Sequence, residues 1–254
     1  MSVPVGRHVT ETSTREPPGY THPEWQSRFP WLVQGTTGRN SLAEPFDLGM
    51  FAVASSARDV MENWGRLRAG TGLPVVVHAQ QIHGSEIRLH TMGPAGLHLT
   101  READGHATLD AGVLLTVTTA DCVPVFIVDP VRGAIVLLHA GWRGTAFGIV
   151  ERGLETLSAT SSVRADLHMH LGPAICGECY EVGPEVFEAL KLPAPTSPEP
   201  VDLRRVMAHR AHEAGVPAEH ITLSTMCTLC GGDGLFSHRG GDGGRQVGYL
   251  GMRP

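Results

Sequence analysis

The fold class is decided by residues 113–144, which read VLLTVTTADCVPVFIVDPVRGAIVLLHAGWRG. Three short runs rich in β-branched residues predict strands over residues 113–119, 123–128 and 135–138. The segment Asp129-Pro130-Val131-Arg132-Gly133 between the last two runs has the composition of a hairpin turn. We therefore expect those two strands to be antiparallel neighbours in a sheet.

The residues on either side of this stretch alternate between helical and strand-like patterns. Apolar side chains at positions 147, 150, 154 and 157 share one face of a predicted helix. Because strands and helices interleave while several strands are joined by hairpins, we expect a mixed-sheet α/β or α+β domain. The other predicted helices span residues 57–69, 184–190 and 203–214, and the other predicted strands span residues 75–77, 87–90, 167–171, 221–224 and 246–250.

Composition limits the classes of protein to which the chain can belong. Its 254 residues are 41% hydrophobic and 18% charged, which is enough apolar material for a large core. The formal net charge of −6 provides no electrostatic footprint for nucleic acid or an anionic membrane. No apolar run approaches the ~20 residues that span a bilayer. A cytoplasmic enzyme or binding protein is expected, and the sequence indicates no particular oligomeric state.

The two ends of the chain differ in pattern. Residues 1–25 are polar and proline-rich and lack the apolar core of a signal peptide, so we predict a flexible N-terminal arm there. Residues 26–254 are expected to form a single domain, with the proline-rich segment 193–200 as an exposed linker. Without an export signal, the five cysteines are expected to be reduced thiols rather than disulfides.

Three fragments place a reactive side chain next to a strand end. They contain His83, which precedes a glycine, Cys122, which precedes an apolar run, and His139, which ends one. If the hairpin forms, Cys122 and His139 lie at the same end of adjacent strands. Two histidines and one cysteine match a zinc site with three protein ligands and an open fourth position. The alternative is a buried cysteine with two core or capping histidines.

Two further sets of residues could bind metal. Cys176-x-x-Cys179 and Cys227-x-x-Cys230 suit a structural Cys₄ zinc site, but 47 residues separate the pairs, where zinc ribbons show about 15–20. A redox pair and unpaired thiols remain alternatives. His168 and His170 point to one side of a predicted strand, and we expect them to be solvent-facing or hydrogen-bonded core histidines rather than ligands.

Several of these fragments together resemble the YfiH-like family. This family was first called laccase-domain or polyphenol oxidases and was later described as purine nucleoside phosphorylases. The resemblance implies a layered α+β sandwich, with mixed sheets flanked by helices, as a catalytic domain over residues 26–254. It also implies that His83, Cys122 and His139 bind zinc. The matching fragments are, in order, QIHG, EADGHAT, TADCVPV, HAGWRGT, GPAI, YEVG, CT, FSHR and GRQ.

The resemblance also bears on substrate binding. It places Arg143 and Arg239 near the metal, where their guanidinium groups would bind phosphate or substrate. Asp47 stands where the family usually has asparagine, and Trp64 stands where it usually has arginine. Trp64 and the altered loop near Gly38 support one hypothesis, a non-catalytic nucleoside-binding module that has lost its activity.

The older family name implies copper chemistry, which the sequence does not favour. Laccases resemble one another in four His-X-His copper motifs, whereas this sequence has only His168-Met169-His170. A trinuclear copper cluster needs more imidazoles than one such motif offers. Copper can still bind adventitiously at the histidine and cysteine residues named above, because its affinity for such ligands exceeds that of zinc.

The function implied by the resemblance is that of a zinc-dependent purine nucleoside phosphorylase with adenosine deaminase activity. Adenosine, inosine and methylthioadenosine, with phosphate, are the candidate substrates. The alternative is a metal-free cysteine hydrolase or amidase, with Cys122 as nucleophile, His139 as base, and His83 or Asp121 as the orienting group. An amide in the editing of peptidoglycan precursors would be its substrate, because some relatives are linked to that process.

Overall fold

The computed structural model describes residues 5–41, 44–51, 54–232 and 234–254. In these residues the strands are β1 (Arg7–Val9), β2 (Thr12–Arg15), β3 (Pro18–Thr21), β4 (Leu32–Thr37), β5 (Val75–Ala79), β6 (Ile87–His90), β7 (Gly96–Thr100), β8 (Gly105–Thr108), β9 (Val113–Thr119), β10 (Val123–Asp129), β11 (Ala134–Ala140), β12 (His168–Leu171), β13 (Glu181–Val182), β14 (Glu199–Pro200), β15 (Ile221–Ser224) and β16 (Gln246–Met252). The α-helices are α1 (Trp25–Arg28), α2 (Ala57–Thr71), α3 (Trp142–Ala146), α4 (Ile149–Ala159), α5 (Pro184–Ala189) and α6 (Leu203–Glu213).

Two mixed sheets contain most of these strands. In the described ranges, one seven-stranded sheet has the order β1-β15-β12-β10-β11-β8-β6, and the other has the order β2-β3-β4-β16-β9-β5-β7. The hairpin of β10 and β11 is antiparallel, as the turn residues predict. Strands β13 and β14 form a small separate pair, so the end of the expected linker 193–200 is a strand.

The sheets form the middle layers of a sandwich because both faces of their central strands are apolar. On β10, Phe126 and Val128 pack against the second sheet, while Val125 and Ile127 pack against α4 and α6. Helix α2 covers the outer face of the second sheet, where Trp64 and Leu67 are buried. Because strand β10 is buried on both faces, its sequence is an almost continuous apolar run rather than an alternation of apolar and polar residues. The expected layered α+β sandwich, with mixed sheets flanked by helices, is confirmed.

Helices α2, α5 and α6 begin and end close to their predicted positions. The helix predicted to carry residues 147–157 on one face begins only at Ile149, so Phe147 lies before it and is 63% exposed. Ser56 caps α2 by accepting a hydrogen bond from the Asp59 amide, and Gly72 ends it in the left-handed conformation. Asp202 caps α6 in the same way, accepting from the Arg204 amide. In the part of the chain that the structure describes, no helix has the length and apolar character needed to cross a membrane.

The prediction of a flexible arm over residues 1–25 is wrong for residues 7–21, which form three paired strands. Strand β1 pairs in parallel with β15 at the edge of the first sheet. Strand β3 is antiparallel to β4, and β2 pairs with β3 at the edge of the second sheet. Gly19 permits the close pairing, because a Cβ atom there would lie 2.4 Å from the Thr36 carbonyl oxygen. The strands are short and mostly polar, and their order comes from partners distant in sequence.

Candidate metal centre

The candidate site lies where the chain passes from the second sheet to the first. Residues 80–86 connect β5 to β6, residues 101–104 connect β7 to β8, and residues 120–122 connect β9 to β10. These three crossings carry His83, Asp104 and Cys122, respectively. Side chains that are far apart in sequence therefore meet at one edge of the sandwich.

His139 completes the group from strand β11. The hairpin register places Pro124 opposite His139, so the residue before β10, Cys122, lies beside this imidazole. One donor atom from each of His83, Cys122 and His139 lies within 4.8 Å of the others. We call these three residues the histidine–cysteine cluster. The structure brings together all three residues predicted as ligands, and their assignment as ligands remains a prediction.

Asp104 orients both histidines of the cluster. The His139 ring donates from Nδ1 to Asp104 Oδ1 at 2.8 Å, which leaves Nε2 as the nitrogen that can ligate a metal. The same carboxylate accepts the backbone amide of His83 at 3.0 Å and that of Gly84 at 2.7 Å. These bonds hold the loop in which His83 has a φ of 59°. Asp104 was not predicted as a site residue, although it belongs to the EADGHAT fragment and immediately precedes β8.

Gly141 leaves room for the cluster. A Cβ atom at this position would lie 2.9 Å from Cys122 Sγ and 3.3 Å from His83 Cδ2. Ordinary Cβ contacts begin near 3.4 Å, so a larger residue would push either side chain out of place. The cluster therefore requires a glycine directly after strand β11 because of this crowding alone, since the backbone there is in an ordinary extended conformation.

The charges of the cluster favour an ionised Cys122 thiolate beside a protonated His139, so metal binding at this imidazole must release a proton. Burial raises the pKa of the Cys122 thiol, but the adjacent His139 and His83 imidazoles lower it by more, so the pKa falls to about 6. Burial lowers the pKa of His139, while the Cys122 thiolate and the Asp104 carboxylate raise it, to about 9. A thiolate is the form of cysteine that ligates metals and attacks electrophiles.

The donor set fits a transition-metal ion with an open position. One thiolate and two imidazoles suit zinc or copper rather than magnesium or calcium, which prefer oxygen ligands. Three protein ligands are typical of catalytic zinc sites, whose fourth position takes water or substrate. His139 also donates a hydrogen bond to Asp104, and a metal-ligating histidine usually has such a bond from its other ring nitrogen to a carboxylate or carbonyl oxygen.

A cavity of about 530 Å³ opens onto the cluster. Its wall includes Arg143, whose guanidinium lies 4.4 Å over the Trp142 ring, and Arg239, which lies 5.3 Å over the Tyr180 ring. Both predicted anion-binding arginines are thus beside the cluster. Among the ion pairs within the described ranges, none engages either guanidinium, so both can bind an anionic ligand.

Asp121 lines the cavity but is not the orienting group that the hydrolase hypothesis allows, because Asp104 and not Asp121 contacts the His139 imidazole. Asp121, with a φ of 83°, accepts from the Thr228 hydroxyl at 2.6 Å and from the Arg239 amide at 2.7 Å. It therefore fixes the loop that carries Arg239. Phe51 also lines the cavity and is 57% exposed, but no motif in the sequence marks it.

The histidines of the His-X-His motif are core residues, as expected. The two ring nitrogens of His170 are within hydrogen-bond distance of Thr222 Oγ1 at 3.0 Å and Glu11 Oε1 at 3.1 Å. His168 lies 3.2 Å from an Arg28 nitrogen, and its ring stacks on His220 at 4.0 Å. Both imidazoles are therefore engaged in packing and hydrogen bonds away from the cavity.

The two positions that depart from the family pattern are also structural. Trp64 is buried and donates from Nε1 to the Leu48 carbonyl oxygen at 3.1 Å. Asp47 is buried and accepts the backbone amides of Gly49 and Arg245, both at 2.9 Å. Gly49 and Arg245 line the cavity, whereas Trp64 and Asp47 do not. Trp64 thus supports the cavity wall from behind and does not take the place of a substrate ligand.

The chain matches, over residues 36–253, the protein family described as multi-copper polyphenol oxidoreductase laccase. The chain belongs to this family. "Purine nucleoside phosphorylase YlmD" of Geobacillus stearothermophilus is 35% identical over 224 residues, which are 79% of this chain and 81% of the relative. "Adenosine deaminase RL5" of an unknown prokaryotic organism is 31% identical over 191 residues, which are 68% of this chain and 72% of the relative.

Solved structures confirm the fold and the YfiH-like resemblance. The crystal structure of YlmD from Geobacillus stearothermophilus covers 96% of this chain and 100% of its own, with a TM-score of 0.86 at 30% identity. The crystal structure of the Bacillus licheniformis hypothetical protein YfiH covers 93% of this chain and 97% of its own, with a TM-score of 0.84 at 26% identity. This laccase-like family therefore includes proteins named as nucleoside enzymes.

Proposed function

We propose that the protein is a zinc-dependent purine nucleoside phosphorylase that also deaminates adenosine. The observation that carries this proposal is the histidine–cysteine cluster, whose donor atoms lie within 4.8 Å of one another beside a cavity that Arg143 and Arg239 line. The names of the relatives support the same reactions, because one is called a purine nucleoside phosphorylase and another an adenosine deaminase. The five free thiols suit a reducing compartment, and we expect the enzyme to act in the cytoplasm.

His83, Cys122 and His139 would hold the metal, and Asp104 would keep His139 in the tautomer that leaves Nε2 free. Zinc bound there supplies a Lewis acid that attracts anions and lowers the pKa of a coordinated water. Copper is the competing metal, since it binds such donors more tightly than zinc does, and metal availability decides which is loaded.

The cavity wall would position the other reactants. The rings of Trp142, Tyr180 and Phe51 are suitable for packing against a purine base, and Arg143 and Arg239 are suitable for binding phosphate. In phosphorolysis, a phosphate oxygen attacks the ribose C1′, the bond from C1′ to the base breaks, and the free base and ribose 1-phosphate are released. In deamination, water attacks C6 of adenosine and ammonia leaves, giving inosine. Holding the nucleophile against the correct carbon is the main contribution of the chain to both reactions.

The test is to incubate the purified protein with adenosine, inosine or methylthioadenosine, with and without phosphate, and to separate the products. We expect inosine from adenosine without phosphate. With phosphate we expect the free base and ribose 1-phosphate from adenosine or inosine, and adenine with methylthioribose 1-phosphate from methylthioadenosine. Cys122→Ala should abolish both, while His8→Ala, at an exposed position of β1, should leave both unchanged. Lack of turnover by the zinc-loaded protein, or full turnover by Cys122→Ala, would refute the proposal.

The cysteine-hydrolase alternative is not favoured. Cys122, His139 and Asp104 do form the nucleophile, base and orienting group that it requires. However, the side chain of His83 also lies in this group. A nucleophile–base–orienting triad does not need this imidazole, whereas a metal ion needs it as a third ligand. Elemental analysis separates the two: stoichiometric metal with Cys122 protected from iodoacetamide until chelation supports the metal site, whereas rapid alkylation of a metal-free protein supports the hydrolase.

A further inference from the structure

The four cysteines outside the candidate site converge at a second position. Strands β12 and β15 are parallel neighbours, so their carboxyl ends lie at the same edge of the first sheet. Cys176 and Cys179 lie in the loop after β12, and Cys227 and Cys230 lie in the loop after β15. One sulfur atom from each lies within 4.8 Å of the others. The two Cys-x-x-Cys pairs are separated by 47 residues in sequence, further than in zinc ribbons, and the pairing of β12 with β15 brings them together in space.

We propose that these residues, which we call the four-cysteine cluster, bind a structural zinc ion separate from the candidate catalytic metal. Four thiolates and no open position are the donor set of a structural zinc site. The soft sulfur donors select zinc over magnesium and calcium. No polar residue other than these cysteines is needed to complete a tetrahedron.

The spacing of the sulfur atoms fits a tetrahedron better than a disulfide. Cys176 Sγ and Cys230 Sγ, which come from different loops, are 3.9 Å apart. Zinc–sulfur bonds of about 2.3 Å give an edge of about 3.8 Å in a regular tetrahedron. A disulfide would require about 2.05 Å between the same atoms. The two loops are thus held at the separation that a shared metal ion would require.

The backbone around Cys227 is arranged for a metal-bound sulfur. Its Sγ accepts the backbone amides of Cys176 at 3.2 Å, Leu229 at 3.4 Å and Cys230 at 3.4 Å. Amide donors turned towards one sulfur stabilise negative charge on it. Gly231 closes the turn by donating to the Cys227 carbonyl oxygen, and a Cβ atom there would lie 2.2 Å from that oxygen. The Cys-x-x-Cys-Gly sequence therefore folds tightly around the sulfur.

The cluster is placed to hold the cavity wall. Tyr180, which follows Cys179, lines the cavity, and Thr228, which follows Cys227, donates to Asp121 next to the histidine–cysteine cluster. The Asp121 carboxylate also fixes the Arg239 loop. A metal ion shared by the two loops would hold Tyr180 and Arg239 at a fixed distance from each other, although it would touch neither.

The test is a metal count on protein purified without added metal. We expect about two zinc ions per chain in the wild type and about one in Cys230→Ser or Cys176→Ser. Cys122→Ala should also retain about one zinc ion, because it loses the ion of the histidine–cysteine cluster and keeps that of the four-cysteine cluster. The variants therefore show separately whether each cluster binds metal. Glu178→Ala, at an exposed position between Cys176 and Cys179, is the matched control and should retain both ions.

A second measurement does not depend on the variants folding. In the wild type, the thiols of the four-cysteine cluster should resist alkylation until a chelator releases zinc, and mass spectrometry of the peptides would assign each labelled cysteine. Cobalt substituted at this site in Cys122→Ala should show the thiolate charge-transfer absorption of a sulfur-rich tetrahedral site. One zinc ion in both wild type and Cys230→Ser, disulfides within the cluster, or immediate alkylation of all four thiols would overturn the proposal.

Discussion

Asp104 accepts a hydrogen bond from Nδ1 of His139 at 2.8 Å and from the backbone amide of His83 at 3.0 Å. One carboxylate thus orients two residues of the histidine–cysteine cluster that come from different connections of the sandwich. Burial raises the pKa of this carboxyl group, but its bonds to His139 and to backbone amides lower it by more. Asp104 is therefore held in its ionised form, in which both carboxylate oxygens can accept hydrogen bonds.

Asp104→Asn should weaken metal binding at the candidate site and reduce turnover together. The amide side chain lacks the negative charge and presents a donor where the carboxylate accepts, so His139 loses its fixed orientation. Removing such a partner of a metal ligand typically costs 10–100-fold in affinity or activity. Competition with a chelating dye measures the affinity. Asp110→Asn, which changes a carboxylate that accepts from the Met92 amide, is the control. Unaltered metal affinity in a folded Asp104→Asn protein would contradict this role.

Gly141→Ala should disrupt the same site by crowding alone. The new methyl group would lie 2.9 Å from Cys122 Sγ, so the thiol or the β11–α3 turn must move. We expect loss of stoichiometric metal with the fold retained, measured by elemental analysis and circular dichroism. Gly65→Ala is the matched control: it adds the same methyl group on α2, where no atom of the described residues lies within 4 Å, and should raise stability by up to about 1 kcal/mol. Equal metal content in the two variants would show that the close approach is unimportant.

The local part of the site could be predicted from the sequence. Cys122 and His139 flank a hairpin whose turn residues and apolar runs are adjacent in the chain, so their proximity follows from secondary structure. The bounds of β9, β15 and α2 were likewise close to prediction because the periodicity and the breakers agree. His83 was also a candidate from its place between a strand and a glycine, but its loop has no local pattern that fixes its position, and only the resemblance to a known family implied that it joins the other two.

The rest depended on pairings between distant residues. Asp104 reaches His139 because β8 pairs with β11, and the four-cysteine cluster forms because β12 pairs with β15. No motif in the sequences of these four strands indicates which strand each one pairs with. Strands β1 to β3 were mistaken for an arm because they are short and polar, and the partners that order them lie up to 215 residues away. Tertiary context overrides weak local propensity in such segments.

Arg143→Ala should separate the two proposed reactions. Phosphorolysis requires bound phosphate, whereas deamination uses water, so removal of a phosphate-binding guanidinium should affect the first reaction far more. A hydrogen bond to a charged group contributes about 1.5–3 kcal/mol, which corresponds to a rise of about 10- to 100-fold in the KM for phosphate. Steady-state kinetics with inosine and phosphate, and with adenosine alone, measure the two effects. The control is Arg132→Ala, an exposed arginine in the β10–β11 turn. Equal losses in both reactions would show that Arg143 supports the cavity rather than binding phosphate.

His78 should make the stability of the protein depend on pH. Burial lowers its pKa from 6.5 to about 4, although a hydrogen bond to Thr116 opposes the shift. The folded state therefore resists protonation, whereas the unfolded chain takes up a proton near pH 6.5. Stability from this residue is fully present above pH 6.5 and is lost as the pH falls towards 4. The loss amounts to about 2 kcal/mol at pH 5.

Replacement of His78 by phenylalanine should remove this dependence while lowering stability at pH 7 through loss of the bond to Thr116. Urea unfolding at pH 7 and pH 5 measures the free energy of unfolding at each pH. The wild type should lose about 2 kcal/mol more than His78→Phe between the two. His8→Gln, at an exposed position of β1, is the control and should behave as the wild type. Parallel losses in the wild type and His78→Phe would show that the buried imidazole is protonated without cost.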